Sequence, residues 1–578
     1  MRSLLKYLRK YRLECVLAPL FKLLEAVFEL IVPLVIAYLI DRGIGEGNSS
    51  VILKSGGILL LLALLGLAFS ITAQYFAAKA ATGFSENLRR SLFDYILTLD
   101  FETLDDIGTD TLITRMTSDI QRLQTGVNMF LRLFLRSPFI VFGAMIAAFT
   151  VDFSMALYFV LLILILFILV ALVMSLTGKA YLKAQGALDR ITGRTRENLN
   201  GVRVIRAFHM EEKEKTGFFT DNEILTSLQK KAGAVSSLMN PVTYVTVNLF
   251  TAALIYAGAL KVDTGALTRG EVVSLVNYMG QILIELIKLA NFIVLLSRAG
   301  ASGERISDLL KKGKDTRGAG KPFPAEKEGV PLIRFDGVSL SYGSDTDRVL
   351  EDISFSVNKG ETLGIIGGTG AGKTSLVNLI PGFYKAEEGR VLINGEDVRD
   401  IDGKELKDRI GVVFQKARLF RGTVRSNLKW GNENAGDETL YKAIETAQAA
   451  DFAGKDKKGL DKKIEQGGRN LSGGQKQRLT IARALVKDPE ILIFDDASSA
   501  LDLATDARLR EAVRELSGTK TLIIVSQRAA SIMYCDRIIV LDDGRIDGAG
   551  SHEELLKNSP VYREIYRSQF PEEEAVNG

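Results

Sequence analysis

Two stretches of this chain carry no charged residue over a length that lipid, rather than a soluble core, accommodates: residues 153–178 and 232–260. A helix needs about 20 mostly apolar residues to cross a bilayer. In lipid only a helix or a closed barrel satisfies every backbone polar group. Four further segments share the character. Residues 56–73 are charge-free and extend at both ends, and 137–151 continue an apolar pattern back through Phe130, Leu131 and Leu135. Residues 16–40 and 272–297 each carry a few charges. The expectation is six membrane-spanning helices, all before residue 300. Beyond that point charged residues, glycines and short apolar segments alternate, as in a soluble α/β domain. The chain therefore divides into a transmembrane domain at 1–299, a turn-rich charged linker at 300–331 and a second domain at 332–578.

Connections and charge place the spans in the membrane. Only Asp152 and a few neighbours separate spans three and four, so that outer turn is tight. The long connections between spans two and three and between four and five are basic. They carry Arg89, Arg90, Arg115 and Arg122, then Lys179, Lys183, Arg190, Arg194, Arg203 and Arg206. Basic residues collect on the cytoplasmic side, so both termini, both long connections and the second domain are expected inside a cytoplasmic membrane. The start, MRSLLKYLRKYR, is basic and amphipathic and is followed by no A-x-A-like cleavage site. It reads as a surface helix leading into the first span. A net charge of +4 argues against a broad nucleic-acid surface. Two cysteines, one in each half, and two histidines far from each other offer neither a disulfide framework nor a zinc site.

The second domain carries the chemistry. Strand-like TLGII leads into GGTGAGKTS: Gly367, Gly368, Thr369, Gly370, Ala371, Gly372, Lys373, Thr374 and Ser375. A helix start follows. Glycines let backbone N–H groups close around phosphate, and the helix N-terminus adds its positive end. Lys373 would reach the β- and γ-phosphates of ATP, and Thr374 would bind Mg²⁺. The strand ILIFDD ends in Asp495, a second Mg²⁺ ligand, and Asp496. Further on, LSGGQKQRLTIARAL offers Ser472, Gly473, Gly474 and Gln475 at a helix N-terminus, a second γ-phosphate site.

LSGGQ is the signature of ABC ATPases, and the chain resembles an ABC exporter half-transporter over nearly its whole length. The resemblance implies six transmembrane helices of exporter type plus an α/β P-loop ABC nucleotide-binding domain. It implies that two such domains pack head to tail, so that Ser472 to Gln475 act on the partner's ATP. It further implies that Tyr342 stacks on adenine, that Gln415 senses Mg²⁺ and the membrane domain, and that Asp502 of SSALD crosses to the opposite site. Residues 104–124 and 197–214 resemble the two intracellular loops whose short helices dock on ATP-binding domains.

Two departures stand out. Family members with a competent site have Glu where Asp496 stands, a base that polarises the attacking water. They have a switch histidine where Gln527 stands. Asp is one methylene shorter, and Gln cannot take a positive charge. Gly468, before the signature, replaces an acidic residue common in exporters. The pattern resembles the degenerate-site subunit of heterodimeric bacterial exporters of multidrug type. That implies ATP-driven export of amphipathic compounds, drugs or lipids, with a second half-transporter supplying Glu and His. A slow homodimeric exporter and a non-pumping ATP-gated channel or regulatory subunit remain as alternatives. Within the spans, Glu25 and Glu29 share a helical face, and Glu285 lies three residues from Lys288. At least one of these carboxylates is expected to line a path favouring cationic amphipathic substrates.

Overall fold

The computed structural model describes residues 2–312, 320–342, 348–454 and 459–570. The chain forms two compact units, one of residues 1–97 and 110–311 and the other of 98–109 and 312–578.

Among the described residues, the first unit contains six helices long and apolar enough to cross a membrane: Leu4–Ile44, Ser49–Ile96, Thr109–Val151, Phe153–Asn200, Glu211–Asp263 and Arg269–Leu309. The second and fourth have 48 residues each, about 72 Å at 1.5 Å per residue. A hydrocarbon core is about 30 Å thick, so these helices are far longer than a crossing requires. Local chemistry sets their ends. Asn48 accepts from the N–H groups of Ser50 and Val51 to open the second helix. Thr268 and Glu271 form a reciprocal cap on the sixth. Asp152 alone, in extended backbone, turns the third helix into the fourth and accepts from Met155 N–H. It also pairs with Lys261 at 2.6 Å. Burial penalises its charge, but Lys261 and the Met155 N–H outweigh that and hold its carboxyl down to about 2.

Small residues let the first two helices approach closely: Ala18, Ala26, Ala73, Ala77 and Ala80 are fully buried. A larger core joins Phe159, Leu162 and Leu166 to Leu275, Tyr278 and Ile282. Leu60, Leu64, Leu164 and Phe167 point outward, a surface suited to lipid. The linker expected from residue 300 starts later, because the sixth helix runs on to Leu309. The reason is a polar clamp. Asp119, fully buried, accepts from Ser302 at 2.9 Å, from Arg115 at 2.8 Å and from Arg305. These partners make a polar sequence a packed helix.

The second unit has strands β1 (Ile333–Leu340), β2 (Leu350–Val357), β3 (Thr362–Gly367), β4 (Glu388–Ile393), β5 (Glu396–Asp397), β6 (Ile410–Val413), β7 (Gly422–Thr423), β8 (Lys463–Ile464), β9 (Ile491–Asp495), β10 (Thr521–Val525), β11 (Arg537–Asp542) and β12 (Arg545–Gly550). The central sheet runs β12-β11-β3-β10-β9-β6. All its pairs are parallel except β11–β12. Strands β3, β9 and β10 are buried throughout, which explains why they read as unbroken apolar runs. An antiparallel sheet, β2-β1-β4-β5, and a β7–β8 pair complete it. A helical region including Asp437–Thr446 and Gly473–Val486 shares a core with the sheet's other face. The short helix Phe101–Ile107, from the connection between the first two long helical pairs, belongs to this second unit.

Candidate nucleotide site

Parallel strands end together, and ligands gather outside those ends. Register puts Ile365 beside Val525, and Val525 beside Asp495. The loop after β3, the carboxylates ending β9, Gln415 after β6 and Gln527 after β10 therefore occupy one edge of one sheet.

The loop after β3 depends on glycine at two places. A Cβ on Gly367 would lie 2.1 Å from the Leu541 carbonyl. Gly372 has φ +89° and its Cβ would meet the Val349 carbonyl at 2.7 Å. Gly372 opens the helix Lys373–Leu379. Lys373 folds back over the loop, its Nζ donating to the carbonyls of Gly367 at 2.9 Å and Gly368 at 2.6 Å. Burial pushes its ammonium pKa down, while Asp496 and Asp495 push it up. A buried ammonium held only by neutral carbonyls is ready to exchange them for phosphate oxygens.

Thr374 Oγ1 donates to Asp495 Oδ1 at 2.9 Å. Gln415 Nε2 donates to Asp496 Oδ2 at 3.3 Å. Burial raises the pKa of both carboxyls; the hydrogen bonds from Thr374 and Gln415 respectively oppose it. A cation would relieve that penalty. Hydroxyl, carboxylate and amide oxygens are hard donors, too few for calcium but suited to Mg²⁺, which keeps water and phosphate ligands. Thr374, Asp495 and Gln415 thus fit the ion. When bound with ATP it would neutralise developing phosphate charge. Asp496 has φ +45°, and Ser499 donates to its carbonyl at 2.9 Å. That bond starts the loop leading to Asp502, which caps the helix Leu503–Arg514 by accepting from Thr505 N–H at 3.0 Å. That N–H lowers the Asp502 pKa. Tyr342 donates to Ser375 Oγ at 2.9 Å, and the residue remains 44% exposed.

Ser472 caps the helix Gly473–Val486. Its hydroxyl accepts from Gln475 N–H, and the Gln475 side chain accepts from Ser472 N–H. Ser472 and Gly473 are exposed, so the helix N-terminus is presented outward.

Residues 15–286 match the family model described as ABC transporter transmembrane region, and 350–499 that described as ABC transporter. An uncharacterized ABC transporter ATP-binding protein of Mycobacterium tuberculosis, Rv1273c, is 34% identical over 98% of this chain and 97% of its own length. The chain belongs to the ABC transporter family. YfiB of Bacillus subtilis, described in the same words, is 34% identical over 99% of both chains. YgaD of the same bacterium, a putative multidrug export ATP-binding/permease protein, is 30% identical over 98% of this chain and 99% of its own. The structure of a bacterial Atm1-family ABC exporter with ATP bound superposes with TM-score 0.80, at 24% identity, over 96% of this chain and 98% of that one. The fold is that of an ABC exporter half-transporter, a multi-pass membrane protein. Its ATPase domain drives transport, and exporters of this family work as dimers.

Within this ABC half-transporter, Gln527 is exposed, and its carbonyl accepts from Gln569 Nε2 at 2.8 Å. The remaining candidates lie in the membrane unit. Glu25 and Glu29 line a cavity between the first and second spans. Glu285 is 2% exposed and lines no part of it. It pairs with Lys288 at 2.8 Å, the expected neighbour, and with Arg136 at 2.5 Å. Sequence reasoning missed Arg136. It also missed an aromatic seat for the helix Phe101–Ile107. Phe101 stacks on Phe383 at 4.3 Å, Phe383 on Phe414 at 5.8 Å, and Tyr384 donates to Asp105. The doublet Phe383–Tyr384, shortly after the phosphate-loop helix, was the available signal.

Proposed function

We propose that this ABC half-transporter is the degenerate-site half of a heterodimeric exporter of amphipathic compounds, drugs or lipids, in the cytoplasmic membrane. The carrying observation is the pairing of Asp496 and Gln527 at one strand edge with an intact phosphate loop and signature. A base must come within hydrogen-bond reach of the water it activates. Asp496 is one methylene short of the family's Glu, and its carboxylate meets Gln415. Gln527 supplies no cation where the family has histidine. Lys373, Thr374 and Asp495 would hold Mg·ATP with slow turnover, Tyr342 stacking on adenine. Ser472 to Gln475 and Asp502 would complete the faster site, whose phosphate loop, Glu and His belong to the partner. Both termini and the ATPase domain lie in the cytoplasm. The likeness to YgaD, a putative multidrug export protein, supports the substrate class.

The test compares the purified chain alone with the same chain joined to a half-transporter carrying Glu and His. The chain alone should bind ATP with turnover near background, and substrate-stimulated ATPase should appear only in the pair. Full stimulated turnover by the chain alone would refute the proposal in favour of a homodimer.

A further inference from the structure

Three spans meet at one guanidinium. Arg136 of the third span, its side chain 7% exposed, donates to Glu285 of the sixth at 2.5 Å and to Glu29 of the first at 2.6 Å. Glu285 does not depend on Arg136. Ser137 Oγ donates to it at 2.7 Å, and Lys288 at 2.8 Å. Glu25 is held by Lys22 at 2.5 Å, and Lys22 donates in turn to Ser70 at 3.1 Å. Glu29 is the exception among the carboxylates. Its side chain is 43% exposed, against 16% for Glu25 and 3% for Glu285.

Glu29 opens on a cavity of about 510 Å³ between the first and second spans. Pockets for drug-sized ligands run from about 300 to 1,000 Å³. Apart from Glu25, Glu29 and Ser70 its wall is apolar, and among the described residues no Lys or Arg lines it. Phe28 on that wall heads a run of stacked rings: Phe28–Phe69 at 5.4 Å, Phe69–Phe21 at 5.6 Å and Phe21–Phe76 at 6.1 Å. Carboxylates with an aromatic face in an apolar pocket select a cation with an apolar body.

We propose that this cavity binds amphipathic organic cations, with Glu29 as their counter-ion. The inference rests on the export reading above and names its substrate class. The network supplies what such exchange needs. A carboxylate among apolar side chains is costly when unpaired, and Arg136 covers that cost in the empty cavity. When a cation arrives, Glu29 passes to it and Arg136 keeps Glu285, so neither Glu29 nor the buried Arg136 is left unpaired. An anion would face two carboxylates with no cation on the wall.

The experiment uses the full-length protein with its partner half-transporter in lipid nanodiscs. Binding of tetraphenylphosphonium and of the near-isosteric anion tetraphenylborate is measured by equilibrium dialysis against empty nanodiscs. Saturable binding of the cation alone is expected. Glu29→Gln should weaken it roughly 10–100-fold, the range for a hydrogen bond to a charged group, and Glu29→Asp should recover most of the loss. Leu62→Trp, which narrows the cavity and leaves the ion network alone, is a second probe should Glu29→Gln misassemble, and it should weaken cation binding. Equal binding of both ions, cation affinity within twofold in Glu29→Gln, or unchanged binding in Leu62→Trp would overturn the inference. ATPase separates this from the parent reading. Stimulation by neutral or anionic amphipaths but not by the cation leaves export standing and this inference refuted. No stimulation by any amphipath refutes export itself.

Discussion

Asp496→Asn measures how much hydrolysis the chain's own site performs. Asn occupies nearly the volume of Asp and keeps an oxygen for the 3.3 Å contact from Gln415. The position is half-buried, so the structural cost is at most one weak hydrogen bond, about 0.5–1.5 kcal/mol. Any larger effect on turnover reports chemistry. If Asp496 were the base, its removal would cost about 10²–10⁴-fold, or about 3–5 kcal/mol of barrier at 1.36 kcal/mol per decade. If the partner's site turns over and this one holds ATP, the loss is that of the minor site alone, about twofold or less. The predictions differ by at least about 50-fold. Steady-state ATPase of the purified two-chain complex decides between them, with nucleotide binding measured in parallel. Near-complete loss with ATP still bound would refute the degenerate-site reasoning and make Asp496 the working base.

Ser472→Arg removes a cap worth about 1 kcal/mol and blocks the outward helix N-terminus, so most ATPase of the complex should disappear while Asp496→Asn retains it. Tyr384→Phe removes the bond to Asp105; transport per ATP hydrolysed should fall severalfold with nucleotide binding intact, read by paired transport and ATPase assays. Asp119→Ala strands Arg115 and Arg305 around a buried hole. It should cost about 3 kcal/mol, seen as a lower thermal midpoint in detergent; a shift within error would contradict the clamp. Asp152 has a folded pKa of about 2, below an ordinary carboxylate. Its contribution to stability is therefore fully present above about pH 4 and lost as pH falls through 2, and Asp152→Asn should flatten the thermal midpoint across that window.

Phosphate chemistry is what made the ATPase domain legible. A loop that wraps phosphate needs glycine, lysine and a hydroxyl in fixed order, so its local sequence carries its function wherever the strands go. Asp495 and Thr374 lie 121 positions apart and touch because parallel pairing through β10 sets β9 and β3 two strands apart. The sequence offered both residues, but only the sheet brings them into contact. Composition misled at residues 300–309, where Ser, Gly, Glu, Arg and Asp look like a linker. Their partner is Asp119, whose side chain turns that polarity into packing. The resemblance implied docking by residues 104–124, but the aromatic seat just before them was hidden in the same way, since nothing local shows that Phe101 stacks on a remote Phe383.

The membrane half tests the limit of periodicity most sharply. Helical spacing predicted that Glu285 could meet Lys288, and it does, because neighbours three apart share a face. The same reasoning is blind to neighbours on other helices. Arg136 stands one residue before the charge-free run 137–151 and reads as a flanking charge, the ordinary place for arginine at a membrane edge. In the fold it lies between the first and sixth spans. Three carboxylates that look equivalent along the chain are thereby made unequal. Glu285 has three donors and almost no exposure, so its removal leaves Arg136 with Glu29 as its near partner and strains packing. Glu25 is matched by a lysine three residues before it. Glu29 has one strong partner and an open side. A group that must release one cation to take another has to be the accessible one, and its displaced partner must have somewhere else to go. Among the described carboxylates of this network, Glu29 alone meets the first condition, and Glu285 supplies the second.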